Sequence, residues 1–168
     1  MFLARHLNSL ETDDCREQLR RCCAAEAWID GIMLQRPFED NRAVNDAAEQ
    51  VWQSLPEAAW RKAFAAHPQI GDIDTLKEKF GDTRSWAEGE QAEAAEAGMA
   101  TLHRLAALNQ EYLAKFGYIF IVCATGKTAE EMLAILESRL PNSADEEIRL
   151  AAAEQLKITQ LRLAKLVL

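Results

Sequence analysis

The chain is poor in the residues that most often announce a function. Of its 168 residues only three are histidine, four cysteine, four proline and seven glycine. Cys15, Cys22, Cys23 and Cys123 form neither a CxxC pair nor a Cys/His ligand spacing, which speaks against zinc ribbons and dithiol redox motifs. A surplus of basic charge is missing too. Nineteen Lys and Arg face 27 Asp and Glu, a formal charge of -8, and without a local basic patch the phosphate backbone of nucleic acid or an anionic membrane is an unfavourable partner. A small anionic substrate is not excluded, because one buried arginine can set the local field. No apolar run approaches membrane-spanning length, and the opening MFLARHLNSL lacks the apolar core of a secretory leader. The closing LAKLVL is not a peroxisomal SKL-type signal. The expectation is a cytoplasmic protein with four reduced, buried thiols. Repeats and low-complexity linkers are also absent, and the length suits one domain spanning 1–168.

What is present is helical. Hydrophobic residues make up 49% and charged residues 27%, a globular composition. Four S/T-x-x-E patterns, at Ser54–Glu57, Ser85–Glu88, Thr128–Glu131 and Ser143–Glu146, can each form a capping box, with Pro56 tolerated in a first turn. Between them, Leu19, Cys22, Cys23 and Trp28, then Val44, Ala48, Val51 and Leu55, then Leu102, Leu105, Tyr112 and Phe116 recur at helical spacing. Pro37, Pro68 and Pro141 end three segments, because the residue before proline is pushed out of the α region. The pattern predicts an all-α, single-domain bundle of about eight helices, near 12–25, 26–36, 41–54, 56–66, 74–79, 86–115, 128–140 and 144–166. Only Tyr118-Ile-Phe-Ile-Val-Cys123 reads otherwise, as a lone buried extended segment. A strand without a neighbour makes no sheet, so its amides need other partners, a ligand among them.

Two motifs mislead. The apolar run followed by Gly126-Lys127-Thr128 resembles a phosphate-binding loop, but that pattern needs glycine where Ile121 stands. Gly126 is more simply a turn and Thr128 a helix cap. His67 with Asp72 and Asp74 suggests a metal site, yet HPQIGDID has neither HExxH nor calcium-loop spacing, and His6 and His103 are distant in sequence.

Three positions remain as candidates. An isolated histidine at a helix end is ordinarily placed by the macrodipole; Pro68, Gly71 and Asp72 single out His67, because together they can hold its ring in one orientation. Glu90 sits in the first turns of the long helix but is not the capping glutamate, a place that Glu88 takes. Arg162 borders a stripe of Ile148, Ala152, Leu156, Thr159, Leu163 and Leu166. Spacing leaves it between a solvated arginine, the commoner case, and one that reaches a cleft.

Several motifs stand in order along the chain: Cys22-Cys23 before Trp28, Arg36-Pro37-Phe38, Ala63 to Asp72 (AFAAHPQIGD), Glu90-Gln91, Leu108 to Phe120 (LNQEYLAKFGYIF) and the ending Ile158-Thr-Gln-Leu-Arg162-Leu163. Taken together, the resemblance they carry is to one family, the OHCU decarboxylases of uric acid degradation. It implies an all-helical domain, commonly a homodimer, that uses no cofactor or metal and converts 2-oxo-4-hydroxy-4-carboxy-5-ureidoimidazoline (OHCU) to S-allantoin. By the same resemblance His67 and Glu90 are catalytic, while Pro68, Gln91, Arg162 and the backbone of Ile119, Phe120 and Ile121 contact substrate. One departure stands out: Ala87 occupies a position where the family often has serine. A non-catalytic helical binding module and a lyase for a related ureido acid are the competing classes.

Overall fold

A computed structural model of the chain describes residues 2–68, 73–80 and 91–168. Its secondary structure is all-α, with nine helices and no strand among the described residues. They are α1 (Leu3–Ser9), α2 (Thr12–Cys22), α3 (Glu26–Met33), α4 (Asn41–Ser54), α5 (Glu57–Ala65), α6 (Ile73–Phe80), α7 (Gln91–Phe116), α8 (Ala129–Arg139) and α9 (Ala144–Lys165). The backbone forms two compact units: one comprises Met1–His67, Ile121–Cys123 and Ile148–Leu168, the other Pro68–Phe120 and Ala124–Glu147.

Local signals account for several helix ends. Thr128 and Glu131 close a reciprocal capping box at α8, and Ser143 with Glu146 does the same at α9, each satisfying amides that lack an intrahelical acceptor. Asp40 caps α4 by accepting from the Ala43 amide at 2.8 Å. Ser54 corrects the expectation of a third box: its hydroxyl donates back to the Val51 carbonyl at 2.8 Å, so it is the last residue of α4, and Pro56 is the N-cap of α5. The fourth box, Ser85–Glu88, lies outside the described residues. Gly117 adopts φ 79° and its amide donates to the Leu113 carbonyl at 2.9 Å, which stops α7 and turns the chain into the non-helical run that follows.

In the first unit, indoles tie helices together. Trp28 of α3 donates to the Ala48 carbonyl of α4 at 3.1 Å. Trp60 of α5 donates to the Trp52 carbonyl of α4 at 2.9 Å, and Trp52 in turn donates to the Ala152 carbonyl of α9 at 2.9 Å. These bonds link α5, α4 and α9 and fix where the end of α5 meets α9. At Gly31 a Cβ would collide with Val51, so glycine permits the close approach of α3 and α4. The Leu19, Trp28 and Ile29 side chains are fully buried here, each worth roughly 1.5–3 kcal/mol relative to exposure.

Helix α1 is an addition to the eight expected. It is held from outside: Asn8 clasps the Phe38 backbone, accepting from its amide at 2.9 Å and donating to its carbonyl at 2.8 Å, while Arg36 donates to the Asn8 and Leu10 carbonyls. The Arg36-Pro37-Phe38 motif is therefore structural. All four thiols are free and buried, as expected, although Cys23 is the C-cap of α2 rather than part of the helix.

The second unit is built on α7 and α8. Its centre is a buried ion pair between Arg139 and Glu147. The Glu147 carboxylate also accepts from the Tyr112 hydroxyl at 2.6 Å and the Asn142 amide at 3.1 Å. The Arg139 guanidinium lies 4.8 Å from the centre of the Phe120 ring, and Tyr112 meets that ring edge-on.

Candidate active site

The site grows from the end of α5. The Phe64 side chain is fully buried, and the His67 amide donates to the Phe64 carbonyl at 3.2 Å, closing a final turn. That turn leaves the imidazole half-buried, with Pro68 exposed beyond it. The His67 Nε2 lies 2.5 Å from Oε1 of Gln155 on α9. Gln155 is 1% exposed, and its Nε2 donates to the Thr159 hydroxyl at 3.2 Å; that hydroxyl spends its proton on the Gln155 carbonyl at 3.0 Å.

One helical step further stands Arg162. Gln155, Thr159 and Arg162 share a face of α9, being four and seven residues apart. The Arg162 guanidinium is half-buried and donates to the Cys22 carbonyl, the last of α2, at 3.4 Å. No carboxylate of the described residues lies within ion-pair distance of it. The fully solvated reading favoured by spacing therefore gives way to a half-buried arginine anchored on the end of α2.

The electrostatics follow. Burial holds the His67 imidazole below its ordinary value near 6.5, the Gln155 bond opposes this, and the nearby Arg162 charge adds to the lowering. His67 is therefore neutral at neutral pH. Burial pushes the Cys22 thiol up to about 12 and raises that of Cys23, so both stay protonated beside Arg162. They are unreactive as nucleophiles.

Of the residues expected in the site, the structure brings His67 and Arg162 together within the first unit. Ile121 is buried in that unit. Ile119 and Phe120 are half-buried in the second unit, on the non-helical run after Gly117. Glu90, Gly71, Asp72 and Ala87 lie outside the described residues, as does the Gln91 side chain. Among the described residues no group of three or more His, Cys, Asp or Glu could hold a metal ion.

Residues 8–164 match the family model described as OHCU decarboxylase. The chain belongs to the OHCU decarboxylase family. It is 31% identical to the 2-oxo-4-hydroxy-4-carboxy-5-ureidoimidazoline decarboxylase of Amia calva, covering 97% of this chain and 93% of that one. It is 33% identical to the uric acid degradation bifunctional protein TTL of Arabidopsis thaliana over 89% of this chain, but spans only 46% of that longer protein. Among solved structures, a crystal structure of an OHCU decarboxylase in the presence of (S)-allantoin superposes with a TM-score of 0.67 at 33% identity, over 88% of this chain and 94% of the other. That structure agrees with the all-α fold.

Gln155 was missed by the spacing argument, which put Leu156 in the buried stripe. The signal was available: Ala151, Gln155, Thr159 and Leu163 also recur every four residues, and all four are buried. A glutamine inside such a stripe needs a polar partner, because an unpaired buried amide is costly.

Proposed function

We propose that this chain decarboxylates OHCU to S-allantoin without a cofactor, using His67, Glu90 and Arg162. The observation that carries the reading is a neutral histidine held beside a half-buried arginine with no carboxylate partner among the described residues. An uncompensated guanidinium is unfavourable in a partly buried setting and suits an anionic or carbonyl group of a ligand. The substrate carries a carboxylate and a hydroxyl on one carbon, next to an imine-like carbon bearing the ureido group. When the bond to the carboxylate breaks, its electron pair passes into that imine, so no cofactor is required as electron sink.

In this scheme neutral His67 takes or shares the proton of the substrate hydroxyl. Glu90 and Gln91 hold ring or ureido N–H groups and present one face of the ring. Arg162 binds the carbonyl or anionic end, Pro68 packs beside the ring, and backbone groups of Ile119, Phe120 and Ile121 face the charge that develops on it. Protonation of the enol-like intermediate on one face then gives a single enantiomer.

The same reading makes the functional unit one domain, since the family match runs through both compact units. It also makes the protein a cytoplasmic homodimer. The four free thiols support a reducing compartment, and Leu150 and Leu161, exposed three turns apart on α9, supply an apolar face for a second copy.

Circular dichroism of freshly generated OHCU tests the activity. With the protein present, the allantoin signal is expected to grow faster than the spontaneous, racemising background; growth at the background rate overturns the proposal. His67→Asn and Glu90→Ala should each abolish the acceleration and leave the helical far-UV spectrum unchanged.

A further inference from the structure

The hydrogen-bond chain behind His67 has a direction. Thr159 has one hydroxyl proton and gives it to the Gln155 carbonyl at 3.0 Å, with the Cys23 thiol as a further neighbour, so toward the Gln155 side chain its oxygen accepts. The Gln155 amide nitrogen must then face Thr159, 3.2 Å away, and its Oε1 must face His67. An oxygen 2.5 Å from Nε2 requires a proton on that nitrogen. The remaining ring nitrogen, Nδ1, has no hydrogen-bond partner among the described residues, and in the neutral ring it carries the lone pair.

We propose that Gln155, itself oriented by Thr159, is a positioning residue that holds His67 as its Nε2–H tautomer and aims Nδ1 at the substrate as the proton acceptor. This deepens the proposed reaction and rests on it for the word substrate, but the tautomer stands independently of any turnover. The pairing is more than a chance contact of a histidine with a glutamine. His6 Nε2 lies 2.7 Å from Gln18 Oε1, yet Gln18 is half-buried. Gln155 is enclosed, and both ends of its amide are assigned. Among the described residues, the charged and titratable groups of this corner are Arg162 on α9 and the thiols of Cys22 and Cys23 at the end of α2, which stay neutral.

The test needs no substrate at first. In protein carrying 15N-labelled histidine, His67, identified by its loss in His67→Asn, should show a protonated Nε2 and an unprotonated Nδ1 at pH 7.5. Its Nε2 proton should also exchange slowly with water. Gln155→Met should abolish that protection, and Gln155→Glu, which keeps an acceptor oxygen, should retain it, while the His6 signal stays unchanged in both. In turnover assays Gln155→Met should lower kcat by about tenfold or more with KM within about twofold, because a misaimed base costs rate rather than binding. Gln155→Glu should restore most of kcat and move the acid limb of the pH profile upward, since a carboxylate stabilises the imidazolium. A proton found on Nδ1, or protection that survives Gln155→Met, overturns the proposal whether or not the protein is active. A correct tautomer in an inactive protein would instead refute the decarboxylase reading alone.

Discussion

The two units each contain an arginine withdrawn from solvent, and they treat it in opposite ways. In the second unit Arg139, 6% exposed, is matched by the wholly buried Glu147, which Tyr112 and Asn142 also satisfy. The carboxylate has a full set of partners, and burial with the adjacent carboxylate pushes the Tyr112 phenol far above its usual value. In the first unit Arg162 has a backbone carbonyl and no carboxylate among the described residues, next to a histidine whose second nitrogen is unpartnered there. A buried charge that is fully paired belongs to the architecture. One left with spare donors beside a neutral base can take a ligand, the role we propose for Arg162. Saturation of hydrogen-bond capacity, more than burial, separates the two clusters.

The contrast can be broken from either side. The largest effect is expected in the second unit: Glu147→Leu leaves Arg139 buried without its partner and should cost about 3–5 kcal/mol in urea unfolding. Adding Arg139→Met should recover much of that loss. If the single variant is as stable as the parent, the pair is not the structural centre of its unit. Arg162→Met should do the reverse, lowering kcat/KM by about 10²–10³-fold while shifting stability by no more than about 1 kcal/mol. A large loss of stability there would make Arg162 architectural too.

The pH dependence sharpens the comparison further. His67 is held below its ordinary value, so the unfolded chain binds its proton at a higher pH than the native one. Stability from this group is therefore complete above the unfolded value near 6.5 and declines as pH falls through the lower native value. The acid limb of kcat/KM should lie below pH 6.5 for the same reason and should follow His67; a limb above that value contradicts a buried neutral base. The smallest effect belongs to the start of α8: Thr128→Ala removes one side of a capping box and should cost about 1 kcal/mol in thermal unfolding without changing kcat.

How much of this could be read from residues alone differs by element. The starts of α8 and α9, the stop of α7 near Gly117 and the non-helical run after it were legible, because each depends on a few consecutive residues. Helix α1 was not. It is seven residues long with no side-chain cap, and Arg36, Asn41 and Phe38 hold it from more than 25 positions away. Ser54 misled for a related reason: its pattern fits a helix start, yet its hydroxyl turned back to the helix it ends. In the site, His67 stood out through its proline and glycine neighbours, whereas Gln155 was hidden by the adjacent Leu156.

By itself, then, the sequence determined where most helices begin and end, the break in helix after Gly117 and the family to which the chain belongs, because these depend on local backbone chemistry and on motifs read in order. The tertiary structure decided that Gln155 rather than Leu156 faces inward, that Arg162 lies against the last carbonyl of α2, and that His67 is neutral. The reason is geometric. A helix of 3.6 residues per turn leaves neighbouring positions ambiguous as to which one points to the core. Only packing through Trp60, Trp52 and Ala152 brings α5 to the one turn of α9 that settles it, joining residues 88 positions apart.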